Sequence, residues 1–462
     1  MRSCIFFVFL FLFSCSHQVK RRTDRLSIVQ GLTQEKEVEF SIVVEKSRSV
    51  EFELVNENED AISPVEVKKM ERSFSPLAVY KVLFIKPKNE AYNLVVYDQG
   101  TVIDQRLISG PLKTDSELSY ALVSCMNDEM DSHFKIWEQI KLQQPDYLFM
   151  IGDNVYADLH IKAPLEKMTE EKLWNRYLDT RMTLPVFFED KLIPVHAVWD
   201  DHDYGINNGG KDFSLRDESK EIFKTFFAQE LSSEGLIKGP GVSSVLSLGD
   251  FDFYFLDNRS FREEKKTGEH LGSEQKNWLY KLLRENENSP STIIKGDQFF
   301  GGYHVFESYE GSHPDDFKSF VQEMSEIKTP FIFATGDRHM SEIMQFPRSL
   351  FKKPSFEITS SPVHSTLFPD SIQKNPWRVT LENAHMNFIL VKNTAKDNHW
   401  FLEVESIGEN GESFFKRELA VFIKDLQNNL NEARKKRRLG RRSYRRVGPK
   451  LHRRRSHPRR RR

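Results

Sequence analysis

The sequence predicts a layered α/β domain built on two packed sheets, with a small all-β sandwich before it and a disordered basic tail after it. Three observations carry this reading. After Glu117, short continuous apolar runs alternate with helix-period segments, as strands buried on both faces do between crossover helices. Between Arg25 and Lys113, apolar and polar residues alternate singly, as in half-buried antiparallel strands. From Arg434 to Arg462 there are 17 Lys and Arg and no acid.

At 462 residues the chain exceeds one ordinary domain. Its first segment, residues 1–15, reads as a signal peptide. Arg2 precedes an apolar stretch from Ile5 to Phe13, too short to span a bilayer but suited to a signal core. Leu12–Phe13–Ser14–Cys15 resembles a bacterial lipoprotein processing site, a lipobox, with Cys15 acylated and anchored to the membrane. An ordinary cleaved signal is the alternative. Both imply an exported protein, and the first a periplasmic or cell-envelope lipoprotein.

Residues 25–113 form the expected sandwich. Val38, Phe40, Ile42 and Val44 alternate with polar neighbours, as do Val50, Phe52 and Leu54, then Tyr80, Val82 and Phe84, then Tyr92, Leu94 and Val96. The segment holds no cluster of catalytic residue types, so it reads as a spacer or a substrate-facing module. Gly110–Pro111–Leu112–Lys113 is the expected junction.

Residues 117–423 form the expected α/β domain. Helical spacing marks Ser132–Gln144, Glu170–Leu184, Ser214–Ala228 and Ser273–Asn286, the last opening on a Ser-Glu-Gln cap signal. Val242–Leu248, Asp252–Leu256, Ser291–Lys295 and four late segments from Ser355 to Val421 read as strands.

Three of the apolar runs end in residue types that bind metals. Asp146–Gly152 runs into Asp153, Asn154 and Tyr156. Pro194–Trp199 runs into Asp200, Asp201, His202 and Asp203, where strand alternation puts Asp201 and Asp203 on one face. Pro330–Gly336 runs into Asp337 and His339, two apart and so pointing the same way in an extended segment. Ligands of open α/β sheets bind beyond the carboxyl ends of the strands. A single Gly-Asp is weak, because Asp often caps a following helix. Three such ends together predict one metal site. Cys125 ends a fourth run, Tyr120–Ser124. With Cys4 in the signal and Cys15 acylated it has no disulfide partner, so metal ligation is its expected role over that of an inert buried thiol.

Ser124–Cys125, Gly152–Asp153–Asn154–Val155–Tyr156, Trp199–Asp200–Asp201–His202–Asp203, Leu256–Asp257–Asn258–Arg259–Ser260 and Thr335–Gly336–Asp337–Arg338–His339 occur in one order. That order resembles the PhoD-like alkaline phosphatases, a branch of the calcineurin-like metallophosphoesterases, over about residues 25–420. The resemblance implies an αββα double sheet and hydrolysis of phosphomonoesters, phosphodiesters or both. It implies ferric iron and calcium ions as cofactors, with Cys125, Asp153, Tyr156 and His339 around the iron and Asp153, Asp201 and Asp337 reaching the other cations. Spacing alone also allows zinc or manganese. Arg259 is expected to take phosphate oxygens through its planar fork. His202 either stabilises a leaving or attacking oxygen or orients Asp201. Asn207, Asn208 and Gln298 are weaker candidates, and His364 reads as a loop histidine. Tyr309 stands where relatives often carry tryptophan, a change at the expected substrate mouth.

Outside the tail the chain keeps 50 basic residues against 68 acidic ones, a balance of −18. A tail so basic on a body so acidic is a separate physical object. With few apolar residues it cannot offset its ordering entropy. Nucleic acid, anionic lipid, lipopolysaccharide or the chain's own acidic surface are its candidate partners. Three functional readings follow: an exported phosphoesterase, a nuclease or phosphodiesterase that captures polyanions on the tail, and a non-catalytic polyanion-binding envelope protein.

Overall fold

The computed structural model describes residues 25–423 except 88, 111, 113, 131–133, 162–166, 288, 303–307 and 370–372. The expected signal peptide, lipidation site and basic tail lie outside the described residues.

The first eight strands are β1 (Ser27–Thr33), β2 (Glu37–Glu45), β3 (Val50–Asn56), β4 (Ala61–Ile62), β5 (Glu66–Glu71), β6 (Leu77–Ile85), β7 (Tyr92–Asp98) and β8 (Thr101–Leu107). They form two four-stranded antiparallel sheets, ordered β1-β2-β6-β5 and β4-β3-β7-β8. Val38, Phe40, Ile42, Phe52, Leu54, Val82, Phe84, Leu94 and Val96 fill the space between them. This is the expected sandwich, but β1, β2 and β6 are buried on both faces rather than half-buried. Their outer face lies against the α/β domain through Val29, Val43 and Val79. Polar groups fix that contact. Glu39 pairs with Lys81 at 3.2 Å and accepts the backbone N–H groups of Glu230, Leu231 and Ser232. Arg181 donates to the carbonyls of Ser27, Ser41 and Phe226. A buried charge tolerates desolvation only when so fully partnered.

The α/β domain begins with β9 (Glu117–Val123), α1 (Lys135–Gln143), β10 (Tyr147–Ile151), α2 (Glu170–Thr183), β11 (Val195–Val198), α3 (Asp201–Tyr204) and α4 (Arg216–Phe226). It continues through β12 (Leu236–Lys238), β13 (Ser244–Leu248), β14 (Phe251–Phe255), α5 (Ser273–Glu285), β15 (Ser291–Ile294), α6 (Tyr309–Ser312), α7 (Pro314–Glu326) and β16 (Phe331–Thr335). It ends with β17 (Ser341–Phe346), α8 (Arg348–Phe351), β18 (Ser355–Thr359), β19 (Arg378–Glu382), β20 (Asn387–Lys396), β21 (His399–Gly408) and β22 (Ser413–Phe422).

One sheet has the order β11-β10-β9-β20-β21-β22 and the other β12-β13-β14-β15-β16-β18-β17-β19. Strands β9, β10 and β11 run parallel to one another, as do β14, β15, β16 and β18. The sheets pack face to face, with the rings of Phe149 and Phe253 4.9 Å apart between them. Helix α1 sets Ile136, Trp137 and Ile140 against the first sheet and its neighbours. Helices α5 and α7 set Leu279, Leu283, Phe317, Phe320 and Met324 on the second, against Tyr254, Ile293 and Phe333. The two packed sheets predicted from the alternating elements are observed, in the αββα layering that the resemblance implies.

Two local expectations are corrected. Ser273 is not the cap of α5 but its first residue, following Gly272 at φ +71°. A Cβ at Gly272 would lie 2.7 Å from Phe261 Cβ, so glycine makes the turn, and the Glu269 carboxylate accepts the Ser273 N–H at 2.8 Å. Residues Asp201–Tyr204 form a helical turn rather than an extended run, which separates Asp201 from Asp203.

Candidate metal centre

The carboxyl ends of both sets of parallel strands meet at one place. Strands β9, β10 and β11 deliver Cys125, Asp153 and Asp200–Asp203, while β14, β15 and β16 deliver Asn258–Arg259, Asp297 and Asp337. Glycines permit the approach. A Cβ on Gly152 would come within 2.9 Å of Gly296 Cα, and Gly336 donates its N–H to the Gly296 carbonyl at 2.7 Å. Four predicted ligands, Cys125, Asp153, Asp337 and His339, have φ between +50° and +66°. Non-glycine residues adopt this region rarely, and such outliers concentrate at functional sites.

Three groups of donor atoms lie within 4.8 Å of one another: Cys125 with Asp153 and His339, Asp153 with Asp201 and His202, and Asp200 with Asp201 and Asp337. Asp153 therefore belongs to two adjacent groups, and Asp201 joins the second to the third. Asp337 and His339 fall in different groups, because both sit in a left-handed turn rather than in the extended segment expected. Tyr156 joins the first group, its hydroxyl 3.3 Å from His339 Nε2 and 2.9 Å from Ser365 Oγ. Cys125 Sγ lies 3.6 Å from Asp153 Oδ2 and accepts from Ser361 Oγ at 3.0 Å.

The electrostatics ask for positive charge. Burial, with help from Cys125, Asp201 and Asp200, holds the Asp153 carboxyl well above its usual range, against the opposing pull of His202. Burial pushes the Cys125 thiol up to about 11, although Ser124 and Ser361 oppose it. Asp200 is raised to about 6 by burial despite Arg259. Asp201 is buried too, but Arg259 and His202 hold it at about 2. Asp153 Oδ1 is buried with no hydrogen-bond partner in the protein. Carboxylates, a thiol, a phenol and imidazoles packed together around such an atom are a donor set that fits hard and borderline cations.

The remaining predicted residues fall as follows. His202 Nδ1 lies 2.6 Å from Asp158 Oδ1, and its ring stacks on Tyr156 at 4.4 Å. Three carboxylates, Asp153, Asp201 and Asp158, outweigh burial and raise it well above its usual range. Arg259 is 1% exposed and is neither a surface salt bridge nor an open fork. Its Nε and Nη2 close on Asp200 Oδ1, while Nη1 lies 3.9 Å from Asp201 Oδ2 and makes no hydrogen bond. Asp203 turns away to accept from the backbone N–H groups of Val155 and Asp200. Asn207 and Asn208 act through backbone, donating to Asp158 and Asp201 respectively, each at 2.6 Å.

Gln298 points into a separate buried network, donating to Glu342 and Thr359, and is not at the mouth. Tyr309 is also interior: it stacks on His270 at 4.5 Å and donates to Asp316, so the tyrosine alters core packing rather than the mouth. His364 is fully engaged, accepting from Trp137 Nε1 at 3.1 Å and lying 2.9 Å from the Asn127 carbonyl. Residues not predicted include Asp158, which holds His202, and Asp297. Asp297 meets Lys295, His270 and Asn258, and Asn258 also donates to Asp200 at 2.7 Å. Asp158 lies two residues after Tyr156, but nothing in its spacing distinguishes it from a turn aspartate.

A double-layered α/β sheet with carboxylates clustered at the strand ends defines the class of scaffold. Among solved structures, one titled "Structure of PhoD" superposes with TM-score 0.66 and 16% identity, covering 90% of this chain and 98% of that one. The chain has a PhoD-like fold. A crystal structure of the Thermus thermophilus protein TT1561 aligns at TM-score 0.28 and 10% identity over 53% of this chain and 89% of that one, too loosely to bear on the fold. No protein-family model matches the sequence. No curated protein sequence matches it either.

Proposed function

We propose that the protein is an exported, metal-dependent phosphoesterase that hydrolyses phosphomonoesters, phosphodiesters or both. The observation that carries this is the position of Asp153, shared between a Cys-His group and an Asp-His group. A carboxylate common to two donor sets suits a pair of neighbouring cations, the arrangement that phosphoryl-transfer sites use. The PhoD-like fold supports the same reading.

Cys125, Asp153, Tyr156 and His339 would hold a ferric iron, since thiolate and phenolate donate to a strong Lewis acid. Asp201, grouped with Asp153 on one side and Asp337 on the other, would join them in holding calcium or other hard cations. Such ions, when bound, lower the pKa of water and neutralise charge on phosphoryl oxygens. The chain's own residues do the rest. Asp158 engages His202 Nδ1 and so turns Nε2 to the acidic cluster, where it donates a proton to the departing ester oxygen as a water oxygen bonds to phosphorus and the ester P–O bond breaks. Arg259 neutralises Asp200 and Asp201 from behind and fixes the floor of the site. Phosphoryl transfer needs positioning and electrostatics, and no covalent protein nucleophile.

The test is Asp153→Asn, expected to abolish hydrolysis of a chromogenic phosphoester while leaving the far-UV circular dichroism unchanged. Full activity in that variant removes the assignment.

The charge asymmetry favours one second reading, a phosphodiesterase or nuclease whose 17-charge tail concentrates polyanions at the site. Export rests on the Ile5–Phe13 stretch, and membrane attachment on Cys15.

A further inference from the structure

We infer that Phe368 is the aromatic platform of a leaving-group subsite, which makes aryl or nucleobase-bearing phosphoesters the preferred substrates; this rests on the phosphoesterase reading above. Phe368 stacks on His339, with ring centroids 5.2 Å apart and planes 26° from parallel. His339 is in turn 3.3 Å from the Tyr156 hydroxyl, and Tyr156 stacks on His202. The ring thus continues, toward solvent, a run of aromatic groups that belong to the candidate centre.

Its exposure is the second observation. Most phenylalanines described in this chain are buried, yet 51% of Phe368 is open. Two further exposed apolar residues are chain neighbours of groups that hold His202. Leu159, 40% exposed, follows Asp158, and Ile206, 36% exposed, precedes Asn207, whose N–H binds Asp158. Single exposed apolar residues are ordinary. Exposed apolar groups beside a candidate ligand are not what phosphate recognition requires, because the phosphoryl group wants charge and donors. They suit the other half of an ester. An aromatic leaving group stacks on Phe368 beyond His339, where a glycerol or other polyol gains nothing from the ring.

Comparison of two substrates in variants at this position tests the inference. Phe368→Ala is expected to lower the ratio of kcat/KM for 4-nitrophenyl phosphate to that for glycerol 2-phosphate roughly three- to tenfold, the range of an aromatic pair. Phe368→Tyr should keep the ratio within about twofold, because it keeps the ring. Metal content should match the wild type in both, which separates stacking from loss of His339. An unchanged ratio in Phe368→Ala overturns the inference. Calorimetric binding of phenylphosphonate against methylphosphonate reads the same site without turnover. A phenyl preference that Phe368→Ala abolishes, in a protein that hydrolyses neither ester, keeps the subsite and removes the phosphoesterase reading. Hydrolysis without any phenyl preference does the reverse.

Discussion

Asp158 Oδ1 lies 2.6 Å from His202 Nδ1, and Asp158 Oδ2 accepts the Asn207 N–H at 2.6 Å. One carboxylate thus ties the histidine to the turn after α3, and fixes which ring nitrogen faces Asp153 and Asp201. Asp158→Asn is expected to lower kcat about 10- to 100-fold, the usual effect of losing an orienting partner. Asp158 is also among the groups that raise the His202 pKa. The variant's alkaline limb, where His202 loses its proton, should therefore move to lower pH. A pH–rate profile of kcat checks both, and an unshifted limb assigns that limb to another group.

Arg259 and Asp200 form a buried ion pair, so their first effect should be on stability. Removing one partner strands a buried charge. Arg259→Ala is expected to lose about 3–5 kcal/mol in urea unfolding. An arginine whose only task is to bind phosphate would leave unfolding unchanged and raise KM instead.

His196 supplies a pH dependence remote from the metal ligands. It is fully buried on β11, lies 2.8 Å from Ser244 Oγ, and burial lowers its pKa from 6.5 to about 3. The unfolded chain then binds a proton that the folded one does not. Stability contributed above pH 6.5 is lost as pH falls from there toward 3. His196→Asn should flatten that slope in urea titrations at stepped pH, and an equal slope in both proteins would assign it elsewhere.

If the basic tail captures polyanions, hydrolysis of nucleic acid should fall steeply with salt, and deletion of residues 434–462 should remove most of that slope. Hydrolysis of a small chromogenic ester should be insensitive to both changes. A slope that survives the deletion leaves the tail without this role.

The buried strands and the gathering of candidate ligands at their ends were legible because burial on both faces writes a continuous apolar run, and a carboxylate at its end has no packing purpose. Helix α7 carries equally plain signals: Pro314 at its start, Asp315 and Asp316 in the first turn, and Phe317, Phe320 and Met324 on one face. Four features were hidden for physical reasons. Asp203 leaves the face that alternation past Trp199 predicts, because it accepts the Asp200 N–H and so closes a helical turn. The depth of Arg259 depends on the second sheet closing over the first, a contact between segments 58 or more residues apart. Asp297 is hidden because its partners His270 and Asn258 come from earlier loops, 27 and 39 residues away. Phe368 was invisible because nothing local marks a phenylalanine as exposed.

The central claim is that Asp153 is shared between two cations in a working phosphoesterase. Elemental analysis of native protein purified without chelator, combined with turnover of a monoester and a diester in the same sample, tests it most directly. The account predicts about two or more metal equivalents per chain, iron among them, with activity lost on chelation and restored on their return. Metal-free protein that still hydrolyses either ester, or metal-loaded protein that hydrolyses neither, contradicts it.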